Sequence, residues 1–204
     1  MPKKIEHITP DKLFKRFVPE NAIQLCVNLY REHKFQFRVT PPRATKLGDY
    51  RFDPSDDSHT ITINNDLKPY SFLITYIHEV AHLTTVKKYG RKVAHHGKEW
   101  KNEYSHLLKQ TLLSGAFPPN LAKEVMRFSM SPKASTSASA RLVALLNEYE
   151  NDTRLLLTKI KINQKFIFRG EEYIKLEKKR TRSLCVRLAD KKKFLISEIA
   201  EVEL

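Results

Sequence analysis

Hydrophobic and polar positions alternate with different periods along the chain, and the changes of period mark its elements. Between Pro10 and about His33, Leu13, Phe14, Phe17, Ile23, Leu25, Val27 and Leu29 fall at helical spacing, with Pro19 starting or kinking a segment. Phe35-Gln36-Phe37-Arg38-Val39 alternates as a strand does, and Pro41-Pro42 stops it. Gly48-Asp49-Tyr50-Arg51-Phe52 and Thr60-Ile61-Thr62-Ile63-Asn64 read as two more strands, joined by the polar turn Asp53–Ser58 into a hairpin. After Pro69 the period becomes helical: Ile74, Ile77, His78, Ala81 and His82 share one face. A loop centred on Gly90 separates this helix from a second one, about Lys98 to Leu113, and Pro118-Pro119 leads a short helix to about Phe128.

The run Ser129–Ser139 has few large apolar residues and reads as a linker. A helix from about Ala140 to Thr158 is expected next. Strand-like segments follow at Lys165–Arg169, Glu172–Glu177, Leu184–Leu188 and Phe194–Ser197, with turns at Gly170 and Asp190–Lys193. The expectation is an α+β domain over residues 1–128, a linker over 129–141, and a helix plus a small β-rich basic module over 142–204.

Composition narrows the function classes. The 204 residues are 41% hydrophobic with only 5 Gly, so the chain can bury a core. No stretch approaches the roughly 20 apolar residues that span a bilayer, and the first residues lack the apolar segment of a secretory signal. Cys26 and Cys185 stand far apart, which argues against a disulfide framework and for two thiols in a reduced, cytoplasmic setting. With 37 Lys and Arg against 23 Asp and Glu, the net charge is +14. Such an excess favours polyanionic partners, nucleic acid foremost.

The chemistry sits in His78-Glu79-Val80-Ala81-His82. Two His at i and i+4 project side by side, so both imidazoles can reach one ion. Glu79 lies beside that face, placed to take a proton from water that zinc has acidified. A catalytic zinc usually has three protein ligands and an open position. The metzincin spacing is excluded, because Thr85 and Lys88 occupy the places of its Gly and third His. His95 and His96 of Val93-Ala94-His95-His96-Gly97-Lys98-Glu99-Trp100 are the nearest candidates, and Glu99 or Glu103 would be rivals in a thermolysin-like arrangement.

The pair of motifs, His-Glu-Val-Ala-His followed by His-Gly-Lys-Glu-Trp-Lys, resembles the SprT-like metalloproteases. Leu47-Gly48-Asp49-Tyr50-Arg51 and Ile61-Thr62-Ile63-Asn64 also look like that family's strands before the metal helix, so the resemblance covers about residues 10–115. It implies a zincin-like metalloprotease domain, a Zn2+ cofactor, and His96 as third ligand beside His78 and His82, with Glu79 as the base. Trp100 is then most simply a core anchor. It also implies a DNA-associated protease acting on DNA-bound or DNA-crosslinked proteins. One departure stands out: many bacterial relatives carry a Cys-rich zinc ribbon after the protease domain, and here only Cys185 lies in that region.

Several basic residues are candidate nucleic-acid contacts: Lys87, Lys88, Arg91 and Lys92 in the loop flanking the expected cleft, and Arg180 and Arg182 in the tail. In the tail, Arg169, Lys175, Lys178, Lys179 and Arg187 also alternate with Phe166, Phe168 and Tyr173. Those aromatics can stack on bases or form the core of a very small module. Tyr76 and Tyr104 are the candidate additional oxyanion donors. The alternative from another class is a nucleic-acid-binding or regulatory protein whose zinc site is structural or vestigial.

Overall fold

The computed structural model describes residues 9–43, 45–134, 139–150 and 155–204. Residues 135–138 of the expected linker and 151–154 of the expected helix lie outside the described residues. The chain divides into two compact units, Met1–Pro132 and Lys133–Leu204, each a mixture of helix and sheet or turn.

In the first unit, helices α1 (Pro10–Phe17) and α2 (Ile23–His33) precede strand β1 (Gln36–Thr40). The hairpin β2 (Gly48–Asp53) and β3 (Ser58–Asn64) follows, then helices α3 (Pro69–Tyr89), α4 (Lys98–Leu113) and α5 (Pro119–Met130). The sheet order is β1-β3-β2, with β1 parallel and β2 antiparallel to β3. β3 is therefore the central strand. His59, Ile61 and Ile63 alternate inward along it, as a one-faced strand requires.

Helix α3 starts on Pro69, whose fixed φ suits the first turn, and ends at Gly90, whose φ of 76° few other residues adopt. From Phe72 to Ala81 it is buried on nearly every side, as a helix with apolar residues all round must be. Phe14, Phe35, Phe37 and Tyr76 meet on one flank, Phe14 and Tyr76 edge-to-face at 5.0 Å. On the other flank α4 packs with Trp100, Tyr104, Leu107, Leu108 and Thr111 buried, one stripe at spacing three to four. α5 runs to Met130, two residues beyond the expected end, because Val125, Phe128 and Ser129 continue its buried face.

In the second unit, helix α6 (Ala140–Tyr149) is capped by Ser139, whose hydroxyl accepts from the Leu142 N–H at 3.3 Å. The expected helix up to Thr158 is corrected: Leu156 is bridged to Glu201, and Leu157–Lys159 form a single 3-10 turn. Strands β4 (Lys165–Phe168), β5 (Glu171–Lys178), β6 (Arg182–Arg187) and β7 (Lys193–Ser197) form an antiparallel meander in chain order. Arg169 and Gly170, both at positive φ, make the tight turn between β4 and β5. Beyond β7 the chain returns to pair Glu203 with Ile167 of β4, curling the meander towards a small barrel. Leu157, Ile160, Phe166, Tyr173, Cys185, Ile196 and Val202 fill it. Phe166 and Tyr173 are thus core residues, and Phe168 packs partly buried against them. Among the described residues, no helix is long and apolar enough to cross a membrane.

Candidate metal centre

The one-turn separation of His78 and His82 on α3 places their rings on the side facing α4. The chain leaves α3 at Gly90, turns, and brings His96 back just before Gly97, the N-cap of α4. The three Nε2 atoms form a small triangle. His82 lies 3.2 Å from His78 and 3.1 Å from His96, and His96 lies 3.4 Å from His78. A nitrogen that carries either one proton or one lone pair cannot satisfy two such neighbours at once. The triangle is therefore poorly satisfied by itself and well suited to a cation at its centre. Zinc–nitrogen bonds of about 2.0–2.1 Å place tetrahedral ligands about 3.3–3.4 Å apart, close to the spacing observed. Among the described residues, His78, His82 and His96 are the group of His, Cys, Asp or Glu that converges in this way.

The electrostatics suit a metal too. Burial lowers the His78 imidazole to about 4, with His96 adding to the effect. Burial and the neighbouring His78, His96 and His95 lower His82 to about 3. His96 is lowered by burial, then by His95 and Lys101. All three rings are neutral at neutral pH and present lone pairs, as ligands must.

Glu79 is 7% exposed, and its carboxylate lies close against Gly48 of β2. Burial pushes its carboxyl up to about 8, and Asp49 pushes the same way, while Arg43, Lys46 and the Tyr50 backbone N–H oppose. A cation in the triangle would add a further pull downwards. Tyr50, which the sequence marked only as a strand residue, thus serves the site three ways. Its N–H faces the Glu79 carboxylate, its ring lies parallel to His82 at 6.3 Å, and its hydroxyl is 2.8 Å from His59 Nδ1. The hairpin alternation could have put Tyr50 and His59 on one face, where Tyr50 stands opposite Ile61 and His59 opposite Phe52. It could not show which edge of the sheet meets α3.

Trp100 floors the triangle, with ring centroids 4.8, 5.3 and 4.6 Å from His78, His82 and His96. It is fully buried, as a core anchor is. Its indole nitrogen and the Tyr104 hydroxyl are buried without a hydrogen-bond partner.

The other candidates separate cleanly. His95 is exposed and stands beside His82 at 6.0 Å, outside the converging group. Glu103 accepts from Lys88 at 2.9 Å and from the Tyr89 hydroxyl at 3.3 Å, and Glu99 is likewise outside the group. Tyr76 donates its hydroxyl to the Cys26 carbonyl at 2.9 Å in the core, which removes it as an oxyanion donor. Tyr104 keeps its place beside His78, at 5.3 Å.

The basic candidates are unequal. The Lys87 ammonium donates to the His33 carbonyl at the end of α2, and Lys88 is paired with Glu103. Arg91 lies over the Phe52 ring at 5.3 Å, while Lys92, Arg180 and Arg182 are exposed. Lys175, read as part of a basic surface, is buried: its ammonium donates to the Leu157 carbonyl at 2.8 Å and meets Glu198 at 3.0 Å. It shares the parity of Tyr173 along β5, so the same alternation turns both inward.

Comparison with family models, with curated proteins and with solved structures finds no match.

Proposed function

We propose that the chain is a zinc-dependent peptidase of the His-Glu-x-x-His type, and that it acts on proteins bound or crosslinked to DNA. The observation that carries the first part is the triangle of three Nε2 atoms at 3.1–3.4 Å with a carboxylate, Glu79, next to a ligand but outside the group. Structural zinc sites close with four protein ligands. Here three converge among the described residues, which favours an open, catalytic site over a structural one.

A zinc ion held there supplies Lewis acidity, polarising a peptide carbonyl and lowering the pKa of water towards about 7. His78, His82 and His96 would hold it through neutral Nε2 atoms. Glu79 takes a proton from the attacking water and returns it to the leaving amine. The Tyr50 N–H and the packing of β2 keep the Glu79 carboxylate in place for both transfers. Trp100 closes the floor and keeps bulk water from that side of the ligands.

The direction towards DNA rests on the net charge of +14 and on the resemblance to SprT-like metalloproteases. Exposed Lys92 stands in the loop that carries His96, and exposed Arg180 and Arg182 stand on the second unit.

The test is cleavage of a DNA-binding protein by the zinc-loaded chain, with and without DNA, beside Glu79→Gln. Cleavage by the wild type alone, rising with DNA, is the expected result. Equal behaviour of wild type and variant rejects the peptidase, and cleavage indifferent to DNA rejects the DNA-directed part. Zinc retained together with DNA binding but no cleavage would instead favour a nucleic-acid-binding protein with a structural metal.

A further inference from the structure

A cavity of about 220 Å³ adjoins the metal triangle, with His82 as the residue the two share. It lies between the edge strand β2, the last turns of α3 and the loop that carries His96. Its volume is below the roughly 300–1,000 Å³ of pockets that enclose a small molecule. It is of a size for one amino-acid side chain.

Of the polar groups in its wall, Tyr50, Thr85 and Arg91 are already engaged, while His95 is exposed. The Tyr50 hydroxyl is 2.8 Å from His59 Nδ1, so Tyr50 offers the cavity its ring. The Thr85 hydroxyl donates to the Ala81 carbonyl at 2.6 Å, so it is not free to bind an entering group. The Arg91 guanidinium is laid over the Phe52 ring at 5.3 Å. Val86, Val93 and Ala94 complete the wall with hydrocarbon. A polar side chain entering here would lose water and find few partners, which costs free energy. An apolar one would lose only unfavourable hydration.

We infer that this cavity is the pocket for the substrate side chain next to the scissile bond, and that it selects a large apolar residue, aliphatic or aromatic. The inference rests on the peptidase reading above, because the position of the scissile bond is set by the metal triangle. His95, exposed at the same cavity, and Arg91 are the two groups that would draw an acidic side chain instead. With Arg91 stacked on Phe52, the apolar wall outweighs them.

Three proteins decide it: zinc-loaded wild type, Glu79→Gln, and the pocket-filling variant Ala94→Leu. Val93→Phe is a second filling variant, in case Ala94→Leu disturbs the loop. Each is given a complex mixture of peptides, and new termini are identified by mass spectrometry. Zinc content and melting temperature are recorded for every variant. One methylene in an apolar pocket changes selection by about 10–200-fold. The expected result is therefore an enrichment of at least about tenfold for Leu, Met, Phe or Tyr over Gly and Asp at one position flanking the cut. That enrichment should fall in a zinc-containing, folded filling variant. As a readout independent of turnover, zinc-loaded Glu79→Gln should bind peptides with Leu or Phe at that position at least about tenfold more tightly than those with Gly or Asp.

Cleavage without side-chain preference, an acidic preference, or a preference unchanged in both filling variants overturns the pocket inference and leaves the peptidase standing. No cleavage above the Glu79→Gln background overturns the peptidase reading, and the pocket inference falls with it.

Discussion

Gly48 of β2 is packed directly against Glu79: a β-carbon at position 48 would stand 2.6 Å from Glu79 Oε1 and 2.8 Å from Thr75 Cγ2. Close approach of strand and helix is what buries the carboxylate and brings the Tyr50 N–H to it. Gly48→Ala should therefore displace Glu79 or push β2 off α3. Overpacking of this kind costs about 1–3 kcal/mol. On the proposed peptidase reading, activity should fall by about ten- to a hundredfold while zinc content stays near that of the wild type, since His78, His82 and His96 are untouched. Metal analysis and thermal unfolding on the same preparation check both halves.

Zinc binding should divide the histidines. His78→Ala, His82→Ala and His96→Ala each remove one corner of the triangle and should lose most of the metal. His95→Ala should keep it, because His95 is outside the converging group. Elemental analysis of the purified variants decides this; full retention by His96→Ala would move the third ligand elsewhere.

Glu79→Gln keeps the size of the side chain and removes the base. Zinc should be retained and cleavage should fall by about 10²–10⁴-fold, the usual contribution of a general base. The variant is measured for turnover and metal content together, so that loss of activity through loss of zinc is recognised.

The second unit has its own buried ion pair. Lys175 is 2% exposed and Glu198 fully buried, and Ser183 also donates to Glu198. Removing one partner, as in Lys175→Ala, leaves a buried charge and should cost about 3–5 kcal/mol. Lys175→Met with Glu198→Leu should recover much of that loss. Burial alone would raise the Glu198 carboxyl, but the Ser183 hydroxyl and the Lys175 and Lys178 ammonium groups hold it below its ordinary value. Its contribution to stability is thus fully present above the unfolded glutamate pKa, about 4.3. It is lost as pH falls through the lower folded value. Unfolding followed from pH 7 to pH 3 should show a smaller acid-side decline in the double variant than in the wild type.

Exposed and engaged cations should behave differently towards DNA. Lys92→Ala, Arg180→Ala and Arg182→Ala should each weaken binding and reduce the salt slope by up to about one for each phosphate left without its cation. Lys88→Ala, which breaks the pair with Glu103, should leave the slope unchanged. Binding isotherms at several salt concentrations separate the two.

Local order along the chain was enough to place many elements and two corners of the triangle. His78 and His82 are four residues apart on one helix, so helical geometry alone sets them side by side, with Glu79 next to them. The strands of the hairpin and of the meander show in their alternation, and Gly90 and Pro69 mark the ends of α3. Residues distant in the chain depended on packing. His96 reaches the triangle only because the loop after Gly90 folds back against α3, and among His95, His96, Glu99 and Glu103 spacing left the choice open. Tyr50 meets Glu79 because β2 is the edge strand that lies on α3. Lys175 shows both levels at once. Its parity with Tyr173 turns it inward by local geometry, yet it can remain there only because Glu198, 23 residues later, is brought beside it. Periodicity is a property of neighbours along the chain, whereas the partner that makes a buried charge or a ligand set tolerable is chosen by the tertiary fold.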